Sequence, residues 1–364
     1  MSAAHLDKLG RAGTELFEAI RADIASGVLA SGRYLPTVRA MAEQHRVGVN
    51  TVWRTLKAME AQGLIAAHPR RGFRVLAKAN DPERGCPIAY VADPDGAAFR
   101  RLLVGSLQDA AAERGWSLLA VKPEGLTVGQ LVDRLRFVRT FGAIVDTTNP
   151  ELVSAIRDSG IPCLLANAWL DGAGLDAVLQ DGHMGGLLAA RHLLDRGCRR
   201  IAWFGMSGQD ALVLDRLGGA LAALASAEPR VEPELLRLAS SDDLEAAALR
   251  MLSRAKRPEA VIALWQGYAA AVKRAADRLG LRLGRDLELV GWSLEEEYGD
   301  TYSRSFGDGP VPATVTWSVR TMAATAVSRL AERREAPKLP ALQIKIPVQL
   351  RPASDAGPAK RPGA

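Results

Sequence analysis

The 364-residue sequence predicts an α/β protein in which a small helical domain ending in a hairpin precedes a two-lobed domain of parallel sheets flanked by helices. Helical periodicity fills most of the first 78 residues, and strands alternate with helices from residue 87 onwards. The charge is also uneven. Residues 1–80 hold 12 Lys and Arg against 6 Asp and Glu, so they carry the whole net charge of +6. A basic module on a neutral body indicates a polyanionic partner for the module.

The first domain shows a recognisable order of elements. Thr37 and Asn50 stand where the N-caps of two helices are expected. Val52, Leu56 and Met59 predict the buried stripe of the second of these helices. In order, the predicted elements are helices over 14–26, 37–45 and 50–62 and two strands around a turn at 68–72. This is the order of a winged helix-turn-helix domain.

The helix over 50–62 is the predicted recognition helix, because a helix in the major groove of DNA leads with its N-terminal end. Asn50 can pair with adenine, and Thr51 can contact a thymine methyl group or a phosphate. Trp53 has two interpretations, as core packed against the hairpin or as a contact to the DNA backbone. The residues expected to reach DNA are Gly48, Val49, Asn50, Thr51 and Arg54, with Arg70 and Arg71 at the hairpin tip.

Five stretches of this domain form a specific pattern: GRYLPTVR at 32–39, MAEQ at 41–44, VGVNTV at 47–52, LKAMEAQGLI at 56–65 and RGFRV at 71–75. In these stretches the domain resembles the GntR family of bacterial regulators. Val38 stands where that family usually has Glu, and Gly48-Val49 where it often has Ser-Arg, so the target sequence does not follow from the resemblance. The DNA contacts that the resemblance implies are Arg39, Asn50, Thr51, Arg54 and the hairpin around Arg71 and Gly72.

After a polar linker, the strand–helix alternation runs too long for one ordinary sheet, so two lobes are predicted. Ligands of such folds bind beyond the carboxyl ends of the strands. The end of the chain is rich in Pro, Ala and Gly and is predicted to be disordered. The predicted boundaries are 1–78 for the DNA-binding domain, 79–86 for the linker, 87–350 for the two-lobed domain and 351–364 for the tail.

The two-lobed domain also carries ordered motifs: VLQD at 178–181, AARHLL at 189–194, RRIA at 199–202, RLGGALAAL at 216–224, RPEAVIA at 257–263, LVGW at 289–292 and PATV at 312–315. In these motifs it resembles the effector domain of the lactose-repressor family, which shares its fold with periplasmic sugar-binding proteins. Behind a GntR-like domain, such a body resembles regulators of the arabinose-repressor type. The resemblance implies a homodimer held by residues 87–350 and a ligand between the lobes.

The resemblance further implies that polar and aromatic side chains at strand ends hold a sugar. Arg216 is the strongest candidate, because a guanidinium can bind two adjacent hydroxyl groups; an interlobe ion pair is the structural alternative. Gln266 and Ser293 stand where the family usually or often has Asp, which weakens the expectation of an ordinary free hexose. The implied effector residues are Asp93, Phe99, Asp146, Thr147, Asn167, Arg216, Gln266 and Ser293.

Four tryptophans fall near predicted strand ends or cleft loops: Trp169, Trp265, Trp292 and Trp317. Their rings can stack on the apolar faces of sugar rings or simply fill the cores of the lobes. The sequence leaves both alternatives open.

No motif predicts catalysis, a metal site or a cofactor. GAGLDA at 172–177 fits a dinucleotide fingerprint in letters only, because a strand and not a helix is expected from Asp176. His183 and His192 lie on opposite sides of a helix, and the glutamates at 295–297 predict a solvated loop. Three scattered cysteines, no apolar run of membrane-spanning length and no signal peptide indicate a cytoplasmic protein.

The sequence thus predicts a cytoplasmic, homodimeric repressor that binds a double-stranded DNA operator and no membrane. A small-molecule effector, a sugar or sugar derivative, would change the spacing of two DNA-binding domains by moving the lobes. A nucleobase or other non-sugar effector, or none, is the first alternative. A transported solute-binding protein is the second, and an enzyme is the third. The basic domain and missing signal peptide argue against the second, and the lack of a catalytic motif argues against the third.

Overall fold

A computed structural model describes residues 9–26, 28–29, 33–61, 64–68, 72–75, 86–92, 98–206, 210–239, 242–307 and 309–354. Apart from Cys86, the predicted linker lies outside these residues, as do residues 355–364 of the predicted tail.

The N-terminal domain has the predicted order of helices and hairpin. Its elements are helices α1 (Gly10–Ser26), α2 (Val38–His45) and α3 (Val49–Ala61) and the antiparallel strands β1 (Ile65–His68) and β2 (Gly72–Val75). The predicted stripe is confirmed, because Val52, Leu56 and Met59 are fully buried. They share one apolar cluster with Phe17 and Ile20 of α1, so α3 is fixed by its inner face while its outer face stays available.

The predicted cap of α2 is confirmed, whereas that of α3 is wrong. The Thr37 side chain accepts a hydrogen bond from a backbone N–H in the first turn of α2, at 3.2 Å. In α3, however, the carbonyl of Gly48 already accepts the N–H groups of Thr51 and Val52, at 2.9 and 3.1 Å. The helix therefore begins one residue before Asn50. Asn50 is an exposed residue of the first turn, where its side chain is not needed as a cap.

The rest of the chain alternates strands and helices, as predicted. Its strands are β3 (Pro87–Ala92), β4 (Ser117–Val121), β5 (Gly142–Asp146), β6 (Cys163–Ala166), β7 (Asp176–Gln180), β8 (Ile201–Met206), β9 (Glu234–Leu238), β10 (Ala260–Ala263), β11 (Glu288–Leu294), β12 (Ala313–Trp317), β13 (Gln343–Ile346) and β14 (Gln349–Arg351). Its helices are α4 (Ala98–Ala112), α5 (Val128–Phe137), α6 (Pro150–Asp158), α7 (Gly182–Asp195), α8 (Ala211–Ala225), α9 (Leu244–Leu252), α10 (Gln266–Arg278) and α11 (Val319–Glu335). No helix in the described stretches has both the length and the apolar character of a membrane span.

Two six-stranded sheets define the two lobes. The first has the parallel strand order β13-β7-β6-β5-β3-β4. The second has the order β14-β12-β11-β10-β8-β9, in which β14 runs antiparallel to β12 and the other neighbours are parallel. Every residue of β5, β6, β7, β10 and β12 is buried, as expected where helices cover both faces of a sheet.

Within the described residues the chain passes between the lobes at three places: from β7 into α7, from β12 into α11, and between β13 and β14. Helix α7 accordingly packs on α8, β12 and β14 of the second lobe, and α11 packs on α4 and on strands of the first. The strand–helix alternation predicted from sequence stops at residue 292, so β12, α11, β13 and β14 are findings of the structure. Arg351 pairs opposite Thr314, so ordered structure continues beyond the predicted boundary at 350.

Glycines bring α7 and α8 into backbone contact. A Cβ atom on Gly186 would lie 1.9 Å from the carbonyl oxygen of Arg216, and one on Gly219 would lie 1.8 Å from that of His183. Any side chain at these two positions would separate the helices. The close approach fixes where α8 presents its side chains to the space between the lobes.

Candidate functional site

A cavity of about 550 Å³ lies between the carboxyl ends of the strands of the two lobes. Residues at or just after the ends of β5, β6 and β7 form one wall, and those at the ends of β10, β11 and β12 form the other. Parallel α/β folds bind ligands at this position. The predicted effector residues that the structure brings together here are Phe99, Asp146, Thr147, Asn167, Arg216, Gln266 and Ser293, whereas Asp93 lies outside the described residues.

Asp146 is held by two donors of the first lobe. It is the last residue of β5, and its side chain is buried. Its carboxylate accepts hydrogen bonds from the Tyr90 hydroxyl at 2.7 Å and from Nε of Arg100 at 3.0 Å. Burial, and then the charge of Asp146, raise the pKa of Tyr90, so the phenol remains a donor. Asp146 is therefore a fixed acceptor at the first wall of the cavity.

Arg216 projects from α8 into the second wall and is only 3% exposed. Its Nη1 donates to the carbonyl oxygen of Leu264 at 2.8 Å, and its Nη2 donates to Oε1 of Gln180 at 2.7 Å. Its Nε has no hydrogen-bond partner among the described residues. The structure does not show the ion pair considered from sequence, because both partners are neutral oxygens. Burial lowers the pKa of Arg216, as expected for a guanidinium withdrawn from water.

Gln180 and Trp292 complete the surroundings of Arg216. The guanidinium carbon of Arg216 lies 4.0 Å from the centre of the Trp292 ring. The indole Nε1 of Trp292 donates to Oε1 of Gln180 at 3.0 Å. Gln180 is not among the effector residues predicted from the sequence, although VLQD at 178–181 places it at the end of a strand. Its buried amide and its strand-end position together are the signal that could have identified it.

Aromatic rings form much of the remaining cavity surface. Trp265, Trp292 and Trp317 line the cavity, whereas Trp169 packs against the apolar core of the first lobe. The ring centres of Phe99 and Trp317 are 5.7 Å apart. Trp292 and Trp317 are also almost fully buried, so for them the two interpretations from sequence, core residue and cavity wall, both apply.

The prediction of a solvated loop at 295–297 is wrong for two of its glutamates. The carboxylate of Glu296 accepts from the Ser318 hydroxyl at 2.7 Å and from the N–H of Arg320 at 3.0 Å, because the first turn of α11 needs acceptors. Glu297 lines the cavity, where burial raises its pKa against the lowering effect of Arg101. In the described part of the chain, no group of His, Cys, Asp and Glu side chains could hold a metal ion.

The predicted DNA-contacting residues that the structure describes lie on the outer side of the N-terminal domain. Exposed among them are Arg39, Gly48, Val49, Asn50, Arg54 and Gly72, while Thr51 is half-buried and Arg70 and Arg71 lie outside the described residues. Trp53 is 47% exposed and sets its ring edge-on to Phe73 of the hairpin, with ring centres 5.3 Å apart. Trp53 therefore packs against the hairpin at the surface of the domain and is not a core residue.

Two family models match separate parts of the chain. Residues 13–75 match the gntR family of bacterial regulatory proteins, and residues 190–352 match a periplasmic binding protein-like domain.

Several individual proteins are similar to this chain over part or most of its length. The arabinose metabolism transcriptional repressor of Geobacillus stearothermophilus is 25% identical over 302 residues, which cover 76% of this chain and 80% of that protein. A ribose operon repressor of Haemophilus influenzae is 27% identical over 135 residues, and this alignment covers 36% of the chain but only 40% of that repressor. The lac repressor dimer bound to operator and the anti-inducer ONPF has a TM-score of 0.62 at 20% identity, covering 75% of this chain and 94% of that one.

A winged helix-turn-helix joined to a two-lobed domain with a ligand-sized cavity is the architecture of a DNA-binding transcription regulator. The gntR match at the N-terminus and the periplasmic-binding-protein-like match behind it specify the type. The chain is a regulator with a GntR-type DNA-binding domain and a periplasmic-binding-protein-like effector domain, and it is similar to the arabinose metabolism transcriptional repressor.

Proposed function

We propose that this regulator is a repressor whose affinity for its operator is set by a sugar or sugar derivative bound in the cavity. The observation that carries the proposal is the buried guanidinium of Arg216 against the ring of Trp292. The N–H groups of the guanidinium that are not yet bonded within the described part of the chain, Nε–H among them, can donate to oxygen atoms of a ligand, and the rings of Trp265 and Trp317 at the cavity can meet the apolar face of a sugar ring.

The opposite wall supports the same ligand class. Asp146 offers carboxylate oxygens to hydroxyl donors, and Thr147 and Asn167 line the same wall. A cavity of about 550 Å³ falls in the size range of ligand sites. The names of two relatives, a ribose operon repressor and a repressor of arabinose metabolism, agree with a sugar.

An effector that touches both walls would bind one arrangement of the lobes more tightly than the other. That difference in affinity is the only free energy with which a ligand can shift a conformational equilibrium. In a homodimer the shift would change the distance between two DNA-binding domains, and so the fit to a palindromic operator. The operator-bound dimer of the lac repressor supports this assembly for the present chain.

The test combines calorimetry with operator binding by fluorescence anisotropy. We expect the parent protein to bind one or more sugars from a panel that includes L-arabinose and D-ribose. Arg216→Ala should lose about 1.5–3 kcal/mol of that affinity, the range for hydrogen bonds to charged groups. Arg191→Ala, which removes an exposed arginine of α7, is the matched control and should bind like the parent.

Without effector, all three proteins should bind operator alike, because the effector site lies outside the DNA-binding domain. An Arg216→Ala protein that unfolds, or that loses operator binding while it keeps its response, would show that Arg216 is only structural.

A nucleobase is the second candidate. The rings of Phe99 and Trp317, inclined at 51° to each other, offer aromatic faces on which a base could stack, and the amide groups of Asn167 and Gln266 can pair with the edge of a base. A calorimetric heat of binding with adenine, guanine or uracil, and with none of the sugars, would favour a nucleobase as the effector.

A further inference from the structure

A single buried oxygen connects the two lobes at the cavity. Oε1 of Gln180, the last residue of β7 in the first lobe, accepts from Nη2 of Arg216 at 2.7 Å and from Nε1 of Trp292 at 3.0 Å. Arg216 belongs to α8 and Trp292 to β11, both in the second lobe. Gln180 and both of its partners are at most 4% exposed.

The chemistry of the partners fixes the orientation of the Gln180 amide. A guanidinium and an indole N–H can only donate, so only the amide oxygen can face both of them. The two N–H donors of Gln180 are not used in this network. Gln180 Oε1 is also the only side-chain acceptor that Arg216 has among the described residues.

The place of Gln180 in the chain makes this contact insensitive to lobe movement. Helix α7 begins two residues after Gln180, at Gly182, and is the first segment that passes from the first lobe to the second. Atoms next to a hinge move least when the lobes open or close, so Arg216 and Trp292 can stay bonded to Gln180 in both arrangements. A side chain already held in its binding geometry loses less conformational entropy when a ligand arrives.

Trp292 is confined from the other side as well. A Cβ atom on Gly185 would lie 2.2 Å from Cη2 of Trp292, so the ring rests directly on the backbone of α7. With Arg216 at 4.0 Å from its centre and Gln180 at its nitrogen, the ring has one position. Gln180 is the member of this group that determines both the direction of the guanidinium and the rotation of the indole.

We propose that Gln180 is the positioning residue of the effector site, which holds Arg216 and Trp292 in their binding geometry before the effector enters. The proposal rests on the proposed function, since it concerns the same cavity. It does not require Gln180 to touch the effector. Loss of its oxygen should weaken effector binding through the two residues that it orients, and a variant that keeps an oxygen there should preserve binding.

The first measurement needs no effector. In protein labelled with ¹⁵N in its indole rings, Trp292→Phe identifies the Nε1–H signal of Trp292. Gln180→Leu removes the acceptor and should shift that signal in the free protein, whereas Gln180→Glu retains an acceptor oxygen and should leave it hydrogen-bonded. Gln343→Leu, at an exposed glutamine of the same sheet, is the matched control and should leave the signal in place.

The second measurement is calorimetry with L-arabinose, D-ribose and the other sugars of the panel. The dissociation constant should rise about tenfold to a hundredfold in Gln180→Leu. It should stay within about threefold of the parent in Gln180→Glu and Gln343→Leu. Operator affinity without sugar should be the same in all of these proteins.

The outcomes separate this proposal from the proposed function. The positioning role is overturned if the Trp292 indole signal of Gln180→Leu does not move. It is also overturned if Gln180→Leu binds sugar as tightly as the parent, or if Gln180→Glu loses as much sugar affinity as Gln180→Leu. If Gln180→Leu does not fold, the Gln180→Glu results alone support or overturn it. A parent that binds no sugar contradicts the proposed function instead, and the indole signal then decides whether Gln180 positions Trp292.

Discussion

The ammonium group of Lys345 lies 2.7 Å from Oδ2 of Asp215 and joins β13 of the first lobe to α8 of the second. The same oxygen accepts the backbone N–H of His183, in the first turn of α7, at 3.1 Å. Asp215 of the second lobe therefore contacts β13 of the first lobe and also the first turn of α7, the helix by which the chain enters the second lobe. It also directly precedes Arg216, which faces the cavity.

The Lys345–Asp215 pair should contribute modestly to stability, because both side chains are about a third exposed. Lys345→Met is expected to lower the free energy of unfolding by about 1 kcal/mol or less, and by less still at high salt. Asp215→Ala should cost more, because it also removes the acceptor of the His183 N–H. Urea unfolding at low and high salt measures both, and equal effects of the two variants would contradict the dual role of Asp215.

Gly185→Ala should disturb the cavity through Trp292. The added Cβ would lie 2.2 Å from the indole ring, so the ring must leave its present position beside Arg216. Overpacking of this kind costs about 1–3 kcal/mol, and we expect weaker effector binding and a lower melting temperature together. Gly105→Ala in α4 is the control, since its Cβ would meet nothing within 4 Å and alanine favours a helix. Equal behaviour of the two variants would show that Trp292 is free to shift.

Asp176 should make the protein sensitive to acid. Burial alone would raise its pKa, but hydrogen bonds from Arg329, the N–H of Leu342 and Arg333 outweigh burial and lower it. A carboxylate whose folded pKa lies below its unfolded value of about 3.9 stabilises the protein above that pH, and this contribution is lost as the pH falls through the folded pKa.

Asp176→Asn should therefore cost about 1–3 kcal/mol at pH 7, because Arg329 and Arg333 lose a buried carboxylate while Arg329 keeps Glu332 and the carbonyl oxygen of Pro340 as partners. The difference from the parent should stay constant between about pH 5 and pH 7 and shrink below about pH 4. Urea unfolding across this range provides the test, with Asp109→Asn at an exposed position of α4 as control. A difference that does not shrink in acid would contradict the charged state of Asp176.

Variants of the DNA-binding surface should distinguish a residue that contacts phosphates, Arg54, from one that contacts bases, Asn50. Arg54→Ala is expected to weaken binding to every sequence similarly and to reduce the slope of log K against log salt by about 1. Asn50→Ala should instead relax the preference at one base pair, because an amide can read a base edge. Anisotropy titrations on operator variants at several salt concentrations measure both. Parent-like binding by both variants would contradict the assignment of these residues.

The assembly should be a homodimer held mainly by residues 87–350. A single winged helix-turn-helix makes few base contacts, so two copies on a palindromic site are expected. Analytical ultracentrifugation at micromolar concentration should show dimers of the full chain with and without operator. Monomers alone under both conditions would contradict the prediction.

The sequence predicts the residue types of the effector site better than their partners. Arg216 can be chosen from sequence because strand ends and a guanidinium suggest a ligand, and the structure places it in the cavity. Its acceptor Gln180 is 36 residues away and in the other lobe, and no periodicity records such a pairing. The hydrogen bonds of Glu296 are equally hard to predict from sequence, because they depend on where α11 begins, 23 residues later in the chain.

The elements after residue 312 illustrate the same limit for the fold. No strand is predicted from the sequence there, and which lobe receives β13 and which receives β14 depends on pairing with β7 and β12, earlier in the chain. The cap of α3 lies two residues earlier than the predicted Asn50 for a local reason, because the carbonyl of Gly48 accepts the first helix hydrogen bonds as well as any other.

The late position of β13 and β14 has a consequence for how the chain is made. During synthesis on the ribosome, β7 is made long before β13, which covers its outer edge, and β12 is made before β14, which covers its own; both covering strands lie within residues 343–351. Each nascent sheet therefore carries a bare edge until residues 343–351 have left the exit tunnel, and bare edges pair readily with other chains. Neither lobe can be completed early, and premature termination anywhere before residue 343 leaves both of them unfinished.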